Sequence, residues 1–415
     1  MKFLKPLIIA ALTTVSMAAQ AESILIRGAT VHTMSKAGIM ENADVLIKDG
    51  EIERIGADLS VSSDTRVIEA NGRPLTPGLF AGISGIGITE VSAVQESSDT
   101  SLSLKEMRPE FSVVSAYNPN SSLVPIVRIE GFSFTLLGAG SNGSLFGGQG
   151  QMVSLDGGYE SFFGRPVLYI NVGRDASSLS GESRAGQWML LDQAMNEADK
   201  PPVSTETALL TRAGRGTLSV FANGGNVVID VDRASDILEV IRFGNEFGLN
   251  VTISGGAEAW MVAEQLAAAN VAVMLNPLVN LPFNFDGLGA RLDNAALLDA
   301  AGVTVIINGA GAHQAAKLRQ MAGNAVSNGL SPEAGLAAMT SNPAKVFGVS
   351  NRQGSIKRNM PANVVLWSGD PLEVTSFAEV VIIDGKLMSM ESRQTKLRDR
   401  YLPQNPDMPR AYIKP

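Results

Sequence analysis

Apolar and polar positions alternate in short runs at both ends of the chain and fall into longer periods between them. Near the start, residues 24–26, 30–32 and 44–48 read as short strands, and Asp49-Gly50 is a hairpin signal between VLIK and EIERIG. Residues 67–69 give another strand and Asn71-Gly72 another turn. Near the far end, 354–356, 363–367 and 379–383 read the same way, with Asp384-Gly385 as the turn. Neither set contains a helical period. A few short strands are marginal by themselves, so the two ends are expected to pair into one unit, 24–69 against 363–386.

The middle alternates strand-like and helical runs, as an α/β barrel requires. Residues 226–231 (NVVIDV), 251–254, 271–275 and 303–307 read as strands. Residues 234–247, 258–269, 294–301, 314–327 and 332–339 read as helices. Residues 125–137 give a strand or two, and 200–215 a surface connection followed by a helix. Residues 95–122 are rich in Ser and weakly periodic, which reads as a long βα loop, a usual place for substrate contacts.

Composition adds an address. Lys2 and Lys5, an apolar run over 7–18 and Ala19-Gln20-Ala21 form a secretory signal with its cleavage site. Removing it takes the formal charge from −8 to about −10, which argues against nucleic acid or an anionic membrane surface as a partner. With no cysteine, an exported fold rests on its core alone, and thiolate metal sites and cysteine nucleophiles are excluded. The expected location is the periplasm or outside the cell, with no membrane association after signal cleavage.

The run TPGLFAGISGIGITE at 76–90 resembles the first barrel strand of the amidohydrolase superfamily, metal-dependent hydrolases with a (β/α)8 barrel. That resemblance extends over nearly all of 24–386, including the closing pieces GSIKRNMPANVVLWSGDPL and VVIIDGK. It implies a TIM-type barrel at 76–350, flanked by a small β-sandwich from both chain ends (22–75 and 351–390), with a signal at 1–21 and a tail at 391–415. The segment AYNPNSSLVPIVRIEGFS, at 116–133, resembles the imidazolonepropionase-like branch. Tyr117, Asn118 and Arg128 are its candidate mouth-facing, substrate-binding groups, each with an ordinary structural reading beside it.

The resemblance also implies a zinc or iron centre held by HxH on strand 1, Lys or Glu on strand 4, His on strands 5 and 6 and Asp on strand 8. The corresponding positions here are Ile83 and Gly85, then Asp230, Gly255 and Ala310; the strand 4 position is not placed. Apolar residues and glycine side positions cannot coordinate a cation, and the chain holds only His32 and His313. No metal ligand and no cofactor is therefore expected.

Asp230, Asp232 and Glu258 remain as acids near the expected mouth. One reading is general acid–base work or a hard cation such as Mg or Ca. The other, for Asp232 and Glu258, is helix capping and dipole stabilisation. Glu258 is also a candidate substrate contact. His313 is a candidate base, with no partner acid evident in the sequence, or a residue of the barrel rim; Asp230 and His313 are the candidate catalytic residues of a hydrolase reading. Gly138 to Gly143 matches G-x-G-x-x-G, but the following SLFGGQG is a poor helix start, so the run reads as a βα loop of the barrel. The expected function is a non-catalytic protein binding a small molecule or a homologous amidohydrolase subunit. The alternative is a hydrolase of non-peptide carbon–nitrogen bonds working with altered residues.

Overall fold

The computed structural model describes residues 23–202, 207–309 and 311–402. Residues 1–22, where the signal is expected, 203–206, Ala310 and 403–415 lie outside them.

Both chain ends enter one eight-stranded sheet. Its first strands are β1 (Ile24–His32), β2 (Ile39–Lys48), β3 (Glu51–Gly56), β4 (Arg66–Glu69) and β5 (Pro74–Pro77). Asp49 and Gly50 turn the β2–β3 hairpin with φ of 53° and 87°, the left-handed pair that a tight hairpin needs. The main path of the sheet runs from β3 through β2 and β1 to β5, with β4 beside β1.

The barrel sheet begins at β6 (Leu79–Ser84). It continues through β7 (Phe132–Leu137), β8 (Phe146–Ser154), β9 (Phe162–Asn171), β10 (Asn226–Val231), β11 (Asn250–Gly255), β12 (Ala272–Leu275) and β13 (Val305–Ile307), each paired with the next. The far end of the chain returns to the first sheet as β14 (Val364–Trp367), β15 (Ala378–Ile383) and β16 (Lys386–Leu387).

The strand that joins the two ends is β5. Val364 pairs with Pro77 and Leu366 with Leu75. The expected direct pairing of 24–69 with 363–386 is thus corrected: Thr76 and Pro77, read as the entry to the barrel, belong to the terminal sheet. Residues 354–356 form no strand; Ile356 donates its amide to the Thr33 carbonyl (2.9 Å) and stays outside the ladder.

The barrel sheet is nearly closed. Among the described residues no ladder joins β6 to β13; the Ile83 amide instead donates to Asn308 Oδ1 at 2.9 Å. Seven of its strands run parallel. The exception is β8, antiparallel to both β7 and β9, which no apolar period in the sequence announces. Gly138 to Gly143 therefore links β7 to the antiparallel β8 and is not a βα loop. Residues 125–128, the start of the strand expected over 125–137, fall instead in helix α1 (Leu123–Arg128), with Leu123, Val124 and Val127 buried. Pro125 is tolerated there because it falls in the first turn.

Two cores follow from period two along the strands. Phe80, Phe134, Leu136, Tyr169, Val228, Met274 and Ile306 fill the barrel interior. Their chain neighbours Leu79, Val227, Ile229, Val273 and Ile307 face outward, in one core with helix residues such as Leu191, Ile237, Phe243 and Leu318. The interior is a packed plug, so any ligand site lies above it, at the C-terminal ends of the parallel strands.

Candidate functional site at the barrel mouth

Asp230 is the last but one residue of β10 and shares the inward face with Val228. In register it lies between Asn171 of β9 and Ser254 of β11. Ser254 Oγ donates to Asp230 Oδ2 at 3.3 Å. The side chain meets solvent at the mouth but is walled by protein on its other sides. That crowding is the main cause that pushes its carboxyl from the usual 3.8 up to about 6. The Asp232 charge adds to the shift, the Ser254 hydroxyl opposes it, and Asp175 adds a smaller push.

The inward position that follows β12 is Asn276, and the one that follows β13 is Asn308. Asn276 Oδ1 accepts from the Leu278 amide (3.0 Å) and Asn308 Oδ1 from the Ile83 amide (2.9 Å). Each backbone donor fixes the oxygen and leaves the Nδ2 donor group to the mouth. Asn171, Asp230, Ser254, Asn276 and Asn308 thus form a hydrogen-bonding rim over the apolar plug. Asn171, Ser254, Asn276 and Asn308 were missed as site residues from the sequence. A signal existed: LYIN, VMLN and VIIN each place an Asn directly after an apolar strand run.

The two strand 1 positions are apolar in their surroundings. Ile83 and Gly85, with Thr100, Gly138, Ala139 and Ala312, line a shallow pocket of about 280 Å³. Gly85 lies beyond the end of β6, and Gly82 (φ 74°) breaks the register before it. A Cβ on Gly85 would stand 2.7 Å from Thr89 Oγ1. Gly255 has φ of 96°, and a Cβ there would stand 2.8 Å from Asp232 Oδ1. At Gly255 the backbone itself favours glycine, while at Gly85 the obstacle is the Thr89 side chain. A zinc or iron ion needs three or more imidazole or carboxylate donors from the protein, and the mouth offers the carboxylate of Asp230 beside amides and a hydroxyl. Among the described residues no group of three His, Asp or Glu side chains is placed to hold a metal ion. The residues present do not fit the centre that the superfamily uses; the Ala310 position lies outside the described residues.

Asp232 and Glu258 brace two rim loops against each other. Asp232 Oδ1 accepts from the Ala257 amide (3.0 Å), and Glu258 Oε2 accepts from the Ala234 amide (3.0 Å) at the start of the next helix. Glu258 Oε1 also accepts from the Gly289 amide at 3.0 Å. Glu258 therefore caps a helix other than its own, and both its oxygens are engaged. Burial first, then neighbouring acids, raise the Asp232 carboxyl against the Ala257 hydrogen bond.

His313 is exposed on the short turn Ala312–Gln314 after β13. Among the described residues no hydrogen bond joins it to Asp230. Tyr117 is not at the mouth. It packs with Leu137, Val153 and Phe162 on the outward face of the barrel strands, and burial pushes its hydroxyl up to about 12. Asn118 Oδ1 accepts from the Asn120 amide (3.0 Å) and closes its own turn. Arg128 Nη1 donates to the Leu155 and Asp156 carbonyls (3.2 and 3.0 Å), by the N-terminal ends of the parallel strands. The mouth reading of these three rested on sequence neighbourhood; α1 carries Arg128 to the far end of the strands, while the Asn118 amide donates to the Gly87 carbonyl (2.7 Å), beyond β6.

Nearly closed barrel sheet, apolar plug and polar strand ends define the class, an α/β barrel. Residues 205–388 match the model of the amidohydrolase family. The amidohydrolase tasK of Hapsidospora irregularis is 36% identical over 120 residues, which is 26% of this chain and 12% of that much longer protein. The chain is thus similar to the amidohydrolase family over 205–388, rather less than half of its length. An amidohydrolase from Thermotoga maritima MSB8 has the same fold, with a TM-score of 0.77 at 24% identity over 88% of this chain and 99% of that one. A molinate hydrolase structure is a more distant likeness of fold, with a TM-score of 0.53 at 14% identity, covering 95% and 100% of the two chains.

Proposed function

We propose that this chain is an exported amidohydrolase-family protein whose mouth binds a small neutral molecule without a metal centre and without turning it over. In this reading the barrel is a modified (β/α)8 barrel and the terminal sheet its β-sandwich neighbour. The observation that carries the proposal lies at the strand ends: of the placed metal positions Ile83, Gly85, Asp230, Gly255 and Ala310 only Asp230 has a donor side chain, and around it the mouth presents amides and a hydroxyl. Such a rim offers both donors and acceptors and little charge, which suits a cyclic amide or a similar neutral polar ring. An apolar floor with a few placed polar groups is the ordinary design of a small-molecule site.

The test is thermal melting against a panel of small cyclic amides such as hydantoin and dihydrouracil, with products followed by chromatography. The proposal expects a ligand that stabilises the protein, is recovered intact, and loses its effect in Asn276→Leu. Chelator-sensitive turnover of any panel member would overturn it. A second reading, hydrolysis of non-peptide carbon–nitrogen bonds, is favoured by one observation. A carboxyl near 6 exchanges its proton close to neutrality, so Asp230 suits a proton carrier. Metal-independent turnover lost in Asp230→Asn would select that reading.

A further inference from the structure

The loop after β12, residues 276–293, reverses the ordinary rule of polar outside and apolar inside. Its polar side chains hold it down. Asp286 is 4% exposed, paired with Arg184, and accepts from the Arg174 amide at 2.6 Å. Asn284 Oδ1 accepts from the Asp286 and Gly287 amides (2.8 and 3.1 Å). Gly289 is held at both ends, its amide by Glu258 (3.0 Å) and its carbonyl by Trp260 Nε1 (2.8 Å). The Arg291 guanidinium stacks 4.6 Å over the Trp260 ring.

The apolar side chains between these anchors face water. Phe285 is 79% exposed, Leu281 71%, Leu288 59% and Phe283 56%. A loop pinned by a buried ion pair cannot turn these side chains inward to hide them. Together they expose roughly 500 Å² of apolar surface, taking about 150–250 Å² for each aromatic side chain and somewhat less for leucine. That is more than half of the about 800 Å² that each partner buries in a standard interface.

The geometry points to this loop as the interface with a second copy of the same chain. Charge selects that occupant. The chain carries a net −8, so two copies repel over most of their surfaces. From 276 to 290 the one ionisable residue is Asp286, which is buried and neutralised by Arg184. Two copies can meet on this patch without opposing charges, and a twofold axis through it pairs each apolar side chain with its own kind. The pinned backbone loses little freedom on docking. Because the loop stands at the barrel mouth, the second copy walls the ligand rim of the first. The surface is argued independently of what the mouth binds.

Sedimentation velocity of the mature full-length protein over a concentration series tests the inference. Wild type is expected to be a dimer. Phe285→Asp and Leu281→Asp, each at an exposed side chain, are expected to weaken it about tenfold or more with unchanged melting, while Val374→Asp, exposed elsewhere, leaves it intact. A wild type that stays monomeric across the series would overturn the inference, as would a dimer indifferent to both loop substitutions. Monomeric protein that floats with phosphatidylcholine vesicles, and ceases to in Phe285→Asp, would assign the patch to lipid and equally overturn it.

Discussion

At Asp230 the fold holds a proton that an ordinary aspartate gives up near pH 4. The folded carboxyl titrates at about 6 against a usual 3.8, so folding takes up a proton between those values. Stability therefore falls as pH rises through that window and levels off above it. Asp230→Asn removes the penalty: its melting gain over wild type is expected to be absent near the acid end of the window and complete above its upper end. Thermal melts at both ends check this; a gain independent of pH would contradict it. Gly255 makes the complementary point. With φ of 96° and Asp232 Oδ1 2.8 Å from where a Cβ would stand, Gly255→Ala is expected to lower unfolding free energy by about 1–3 kcal/mol, read by denaturant titration. The same strain explains why the position cannot simply regain a histidine.

Arg184 ties two elements together, reaching Asp236 in the helix Ala234–Glu246 and Asp286 in the mouth loop. Arg184→Ala leaves two largely buried carboxylates without their shared cation and is expected to cost about 3 kcal/mol or more. It should also open 276–293 to limited proteolysis; an uncut loop at unchanged stability would contradict the anchoring role. Elements of this kind divide what the sequence could tell. NVVIDV was legible to the residue because an apolar run between a turn and a helical period has one solution. The antiparallel β8 was not, since FGGQGQMVS has no period that distinguishes direction. Glu258 was legible as a cap but not as the cap of a neighbouring helix, because its partner Ala234 lies far from it in the chain. The positions aligned with the superfamily's metal ligands could be read from spacing; the polar rim could not, because it depends on which strand ends converge.

Over the whole molecule, β14 joins the terminal sheet to the barrel. Val364 and Leu366 face the core of the sheet, while Val365 and Trp367 face the barrel core. Trp367 is fully buried, donates Nε1–H to Thr76 Oγ1 at 2.9 Å, and lies 4.6 Å from the Arg319 guanidinium. One shared strand predicts one calorimetric transition, and Trp367→Ala is expected to cost about 3–5 kcal/mol. Two separate wild-type transitions would show that sheet and barrel melt apart. The account as a whole rests on a barrel mouth whose described residues do not fit a zinc or iron centre. The direct measurement is elemental analysis of the protein purified without chelator. The prediction is zinc and iron well below one equivalent, unchanged in Asp230→Asn. Near one equivalent of either metal, lost in that variant, would contradict it.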